Sequence, residues 1–329
     1  MRRWSTMWLV LGGAALLLGA IWLAGASPAA VAKDLLQGSF GDPAHISRTL
    51  IKTTPLLIAG IAVFIGLRAG LFNIGVEGQL VVGALACAVV AIRLPGATGA
   101  FLGAAAGMIA GGLWALPAAV IKAYRGGHEV ITTIMLNSVA GFLTVYLTAG
   151  PLKAPGEDHP TTADVSTRLP GLTFGDLSLN YGLFAALALV FALAYFLRRR
   201  VAGYELEAVG ANPVAAEFAG IDRRRVVLMA MASSGAVAGL AGVVQVLAFE
   251  GRFFPDISAG IGFDALGVAL LAGGSPFGLL PSALGFGALT TGGTQLAIDG
   301  IPKGITQVVL GILIVVAAAL RYRKVVTVA

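Results

Sequence analysis

Residues 71–80 read LFNIGVEGQL, and the meaning given to this stretch decides the fold. Three polar side chains, Asn73, Glu77 and Gln79, and two glycines, Gly75 and Gly78, sit where apolar runs near 55–70 and 76–93 meet. The whole chain of 329 residues is 57% hydrophobic and only 12% charged, with a mean hydropathy of +0.90. A soluble domain carries roughly 25% charged residues, so the solvent of this chain is a bilayer. The stretch therefore interrupts what should be continuous membrane-spanning helix. A carboxylate at bilayer depth is costly unless paired or wetted, and such residues mark solute pathways. The other reading is a helix-end loop at the cytoplasmic interface, held by local hydrogen bonds.

Outward from this point, apolar runs lie near 7–26, 55–70, 76–93, 97–121, 130–149, 180–197, 226–249, 261–273, 277–297 and 303–320. At about 20 residues per crossing of a ~30 Å hydrocarbon core, the expectation is an all-α polytopic bundle of about ten spans. It forms one transmembrane domain over 1–329. The first run follows Arg2 and Arg3 but is too long for a signal-peptide core, so it reads as a retained helix. An even number of spans puts both termini on one side. Placing them in the cytoplasm puts fourteen Lys and Arg residues inside and eight outside, although the outside loops are longer, in the sense of the positive-inside rule. Residues 27–54 and 150–178 then read as polar extracytoplasmic segments, and 198–225 as a cytoplasmic loop.

Several chemistries are excluded. No Gly-Lys dipeptide exists, so there is no P-loop, and neither a G-x-S-x-G elbow nor an H-E-x-x-H motif is present. The chain does not read as an enzyme, and no cofactor is implied. The lone Cys87 reads as core packing, and His159 beside Asp158 lacks a second histidine at ligand spacing, so no metal site is expected. The net charge of +6 is spread over span ends, which speaks against nucleic acid as a partner.

A second interrupted stretch, Ser258 to Gly274, echoes the first. Ile74-Gly75-Val76-Glu77 aligns with Ile261-Gly262-Phe263-Asp264, and each is followed by a small-residue-rich apolar run. Paired glycine-interrupted segments point to a transporter site built on a repeat, with coincidence in a glycine-rich chain as the alternative. Gly103, Gly107 and Gly111, like Gly235 and Gly239, recur every four residues, a spacing that lets helix backbones touch. Between the apolar runs, Asn212 is a favoured N-cap, Pro213 suits the first turn, and Gly220 supplies a left-handed stop. A helix of about seven residues is unstable alone, so it must dock on something. Glu217, Phe218 and Ile221, with arginines beyond, suit a cytoplasmic partner. The alternative is a helix resting on its own bundle or on anionic membrane lipid.

The blocks AGLFNIGVEGQL, GHEVITTIMLN, AVGANPVAAEFAGI and GFDALGVALLAGGSPFG resemble the permease subunits of bacterial ABC importers in the ribose, nucleoside and branched-chain amino-acid superfamily. The block HEVITTIMLN and the chain length are similar to the simple-sugar or nucleoside branch. This resemblance implies a second, different permease, a separate cytoplasmic ATPase and an extracytoplasmic substrate-binding lipoprotein. It also implies that 212–221 is the coupling helix, and that the chain sits in the plasma membrane. Where the family usually has TNEVI this chain has GHEVI, which leaves His128 without a carried-over role. A nucleoside needs amide and hydroxyl partners, and Asn73, Gln79, Asn137 and Gln245, with Glu77, are the pathway candidates. A sugar, an amino acid or a non-transporting scaffold are the other readings.

Overall fold

The computed structural model describes residues 27–298 and a few isolated helical positions on either side. The expected spans at 7–26 and 303–320 lie outside the described residues. The described chain is almost entirely helical: α1 (Pro28–Phe40), α2 (Pro43–Arg68), α3 (Val76–Arg93), α4 (Gly96–Arg125), α5 (Glu129–Ala149), α6 (Tyr181–Arg199), α7 (Val201–Ala211), α8 (Pro213–Phe218), α9 (Arg223–Val244), α10 (Ile261–Leu271) and α11 (Leu279–Ile298). A π-helical turn, Gln245–Glu250, prolongs α9, and a small antiparallel hairpin pairs β1 (Gly171–Phe174) with β2 (Leu177–Asn180).

Among the described residues, six helices are long and apolar enough to cross a membrane: α2, α3, α4, α5, α6 and α9 with its extension. The 11 residues of α10 rise only about 16 Å, half a bilayer, so a crossing at 261–273 would also need the turns on either side of the helix.

Residues 27–54, expected as a polar segment outside the spans, are largely helical. Ser27 and Asp42 cap α1 and α2, each followed by a proline at the first helical position. The hydroxyls that make this region look polar turn back on the helix: Ser47, Thr53 and Thr54 donate to the carbonyls of Pro43, Thr49 and Leu50. Segment 198–225, read as a loop carrying one short helix, holds that helix as α8 and a further one, α7.

The core is α2, α3, α4 and α9. At the α4–α9 crossing the glycine rows interdigitate: a Cβ on Gly111 would lie 2.9 Å from Gly239 Cα, and one on Gly235 or Gly239 would run into the carbonyls of Gly111 and Gly107. Small residues here set the distance between backbones. Segment 150–180 is no free loop; it lies across the end of α9. Its backbone N–H groups at Thr162, Val165 and Leu169 donate to Phe253, Gly251 and Leu247 carbonyls, and Arg252 pairs with Glu157 and Asp164.

Candidate functional site: a broken-helix centre and a short docking helix

After Arg68 the chain does not continue to the end of the bundle but turns back into it. Gly70 takes φ +71°, and segment 69–75 carries Asn73 to a fully buried position. The Asn73 amide donates to Gln79 Oε1 at 3.0 Å and to Ser234 Oγ at 2.9 Å, and its Oδ1 accepts from the Gly75 N–H and from Gln79 Nε2. Ser234 in turn donates to the Ala62 carbonyl. Ala62 lies six residues before Arg68, so the returning segment reaches about 9 Å into the bundle. Asn137 completes this set from α5, accepting from the Gly78 N–H and donating to the Ile74 carbonyl, both at 2.9 Å. Irregular backbone at membrane depth needs such partners, and the three amides supply them.

Glu77, on the first turn of α3, faces α10. Its carboxylate accepts from the Gly262 N–H at 2.7 Å and from the Ser258 hydroxyl. Gly262 is required by closeness, since a Cβ there would strike the Glu77 backbone. The carboxylate thus satisfies the open N-terminus of α10, where partial positive charge favours it. Asp264, one turn into α10, lies within electrostatic range of Glu77. The stretches Ile74–Glu77 and Ile261–Asp264 are therefore in direct contact.

At its other end, the segment after α10 meets Arg68. The guanidinium donates to the Gly274 carbonyl at 3.4 Å and pairs with Glu207 of α7. Gly70 and Gly210 touch in the same place: a Cβ on Gly70 would lie 3.1 Å from Gly210 Cα. A second ion pair, Lys122 to Glu129 at 2.8 Å, ties α4 to the start of α5, and Glu129 also accepts from the Phe72 N–H.

Next to α7 stands α8. Asn212 Oδ1 accepts from the N–H groups of Val214 and Ala215, and Pro213 opens the helix. The helix closes through Gly220, φ +84°, with Gly220 N–H on the Glu217 carbonyl and Ile221 N–H on Ala216. Ala216 is buried and Ile221 packs on the core, which fixes a helix too short to stand alone. The opposite side is open: Phe218 is 90% exposed and Val214 59%. Glu217 is exposed and lies 3.9 Å from Arg223.

Of the five pathway candidates, the structure gathers Asn73, Glu77, Gln79 and Asn137. Gln245 is elsewhere, at the far end of α9, donating to the Ile257 carbonyl. Ser234, Ser258 and the Arg68–Glu207 pair escaped the sequence reading, since residues 139 to 185 positions apart share no local pattern.

The family described as branched-chain amino acid transport system / permease component matches residues 45–318. The guanosine ABC transporter permease protein NupP of Bacillus subtilis is 35% identical over 306 residues, covering 90% of this chain and 87% of that one. The glucose ABC transporter permease protein TsgB13 of Haloferax volcanii is 34% identical over 295 residues, 85% and 77% of the two chains. The nucleoside ABC transporter permease protein NupB of Lactococcus lactis is 33% identical over 314 residues, 91% and 86%. Bacillus subtilis and Lactococcus lactis each provide a second match with the same system in its name, at 26% identity. No solved structure matches the chain. The chain thus belongs to the branched-chain amino acid transport system permease family: it is a multi-pass membrane permease subunit of an ABC transporter, not an enzyme.

Proposed function

We propose that this chain, with a second and different permease, forms the pathway by which a nucleoside crosses the plasma membrane inward, driven by a separate cytoplasmic ATPase and fed by an extracytoplasmic binding lipoprotein. The observation that carries the substrate is that relatives named for guanosine and for nucleosides align over about nine-tenths of the chain. The amides of the centre support this reading indirectly, since Asn73, Gln79 and Asn137 hold the broken segment in shape and leave recognition to the surfaces it positions. Glucose is the second reading, favoured by the Haloferax volcanii relative. Proteoliposomes holding the complete transporter should take up labelled guanosine in an ATP-dependent, saturable way that a hundredfold excess of glucose leaves intact. Uptake of glucose with guanosine as a poor competitor would reverse the assignment.

The chain is one domain over 1–329, with about ten spans and both termini cytoplasmic. Segments 69–79 and 258–274 are the paired broken segments of an internal repeat that faces the pathway, and Asn73, Glu77, Gln79 and Asn137 shape it, with Gln245 nearer the outer mouth. Residues 212–221 are the coupling helix, with Glu217, Phe218, Gly220 and Ile221 at the ATPase. Movement of α8 passes through α7 to Arg68 by the Glu207 pair, and from there to both broken segments. Alternating access then follows from a rigid-body shift of α10 against the core. Cysteines placed at exposed Asp158 and Ala211, in a Cys87→Ala background, should label from opposite sides of the membrane. Labelling from one side sinks this topology.

A further inference from the structure

At the end of α2 opposite Arg68, a cavity of about 150 Å³ opens between α1, α2 and α11. His45, Arg48 and Lys52 line it from successive turns of α2, and Thr294 and Ile298 close it from α11. His45 Nδ1 lies 2.9 Å from Asp42 Oδ2. Arg48 and Lys52 have no carboxylate within ion-pair distance among the described residues, although Arg68, Lys122 and Arg252 each have one. The Thr291 and Thr294 hydroxyls donate back to the Gly287 and Thr290 carbonyls, and Arg48 and Lys52 are the permanently charged side chains lining the cavity.

Depth makes this arrangement unusual. Twenty residues separate Arg48 from Arg68 and sixteen separate Lys52 from it, about 30 Å and 24 Å along the helix. With Arg68 and its Glu207 partner at one face of a ~30 Å hydrocarbon layer, Arg48 lies at the other face and Lys52 one turn below it. Ile51 and Ile298 give the cavity an apolar rim at that level. Cations without a counter-charge are expensive there and reach for the phosphate plane. A lipid phosphate is already at this height, with its acyl chains beside the isoleucines.

We propose that this cavity binds the headgroup phosphate of an anionic phospholipid, held by Arg48 and Lys52. The test is native mass spectrometry of the intact transporter, released from detergent after titration with phosphatidylglycerol, phosphatidylcholine or glycerol phosphate. The wild type should retain phosphatidylglycerol at a tenfold lower concentration than Arg48→Gln/Lys52→Gln, and Arg48→Lys/Lys52→Arg should restore retention, which separates lost charge from lost folding. Equal retention by the glutamine variant overturns the proposal. Occupancy by glycerol phosphate as strong as by phosphatidylglycerol overturns it in favour of a soluble anion. A glutamine variant that keeps phosphatidylglycerol but loses capture by the binding lipoprotein overturns it in favour of a protein contact.

Discussion

Segments 69–79 and 212–222 are both polar, short and marked by glycine, yet they direct their hydrogen bonds in opposite ways. In the first, every amide is consumed inside the protein: Asn73 alone serves Gly75, Gln79 and Ser234. In the second, the polar groups close the helix on itself while Phe218 and Val214 stand in the open. The first segment maintains a shape that the bilayer would otherwise forbid, and the second offers a surface. Polarity in an apolar chain is therefore no guide to exposure until its partners are known.

The sharpest test of this contrast is Asn73→Leu. It leaves the Gly75 N–H and the Gln79 amide without a partner, at about 1–3 kcal/mol for each buried orphan, while Ser234 keeps the Ala62 carbonyl. Monodisperse protein recovered from membranes should fall tenfold or more by size-exclusion chromatography; near-normal recovery would mean that the amides do not hold the segment. Phe218→Ala should do the opposite. Its ring touches solvent, so recovery should stay within twofold of wild type, but an aromatic hot spot is worth about 2 kcal/mol, so the co-purified ATPase should drop about thirtyfold. Unchanged ATPase retention would remove Phe218 from the interface. The smallest effect belongs to Glu217→Arg. Its pairing with Arg223 is long and solvated, worth about 1 kcal/mol at most to folding. Recovery should be unaltered while ATPase retention falls about two- to fivefold, and a loss of recovery instead would show that α8 packs only on its own bundle.

The long apolar helices were legible because length and hydropathy are local: the run read at 76–93 is α3, and 130–149 differs from α5 by a residue. The caps of α8 were legible for the same reason, Asn212, Pro213 and Gly220 each acting within a few residues of itself. What failed was polarity as a sign of loop. Lys33, Asp34 and Gln37 lie in α1, and the hydroxyls of 47–54 bond to their own helix. The candidate site was half legible. Asn73, Glu77 and Gln79 stood out as interruptions, but Ser234 looks like any small helical residue, and Ser258 acquires meaning only when α10 brings it to Glu77. Gln245 was chosen for its chemistry alone, and sequence could not show that it lies apart from the other amides, on the Ile257 carbonyl.

The glycine contact between α4 and α9 has a consequence in time as well as in space. Where backbones touch with no room for one methyl group, neither helix can slide without opening a void, so the two respond to a push as one block. Collective shifts of packed elements run in microseconds to milliseconds, and on that scale the two helices move together or not at all. The glycine-locked block is thus a fixed frame, against which any motion of the shorter elements is measured.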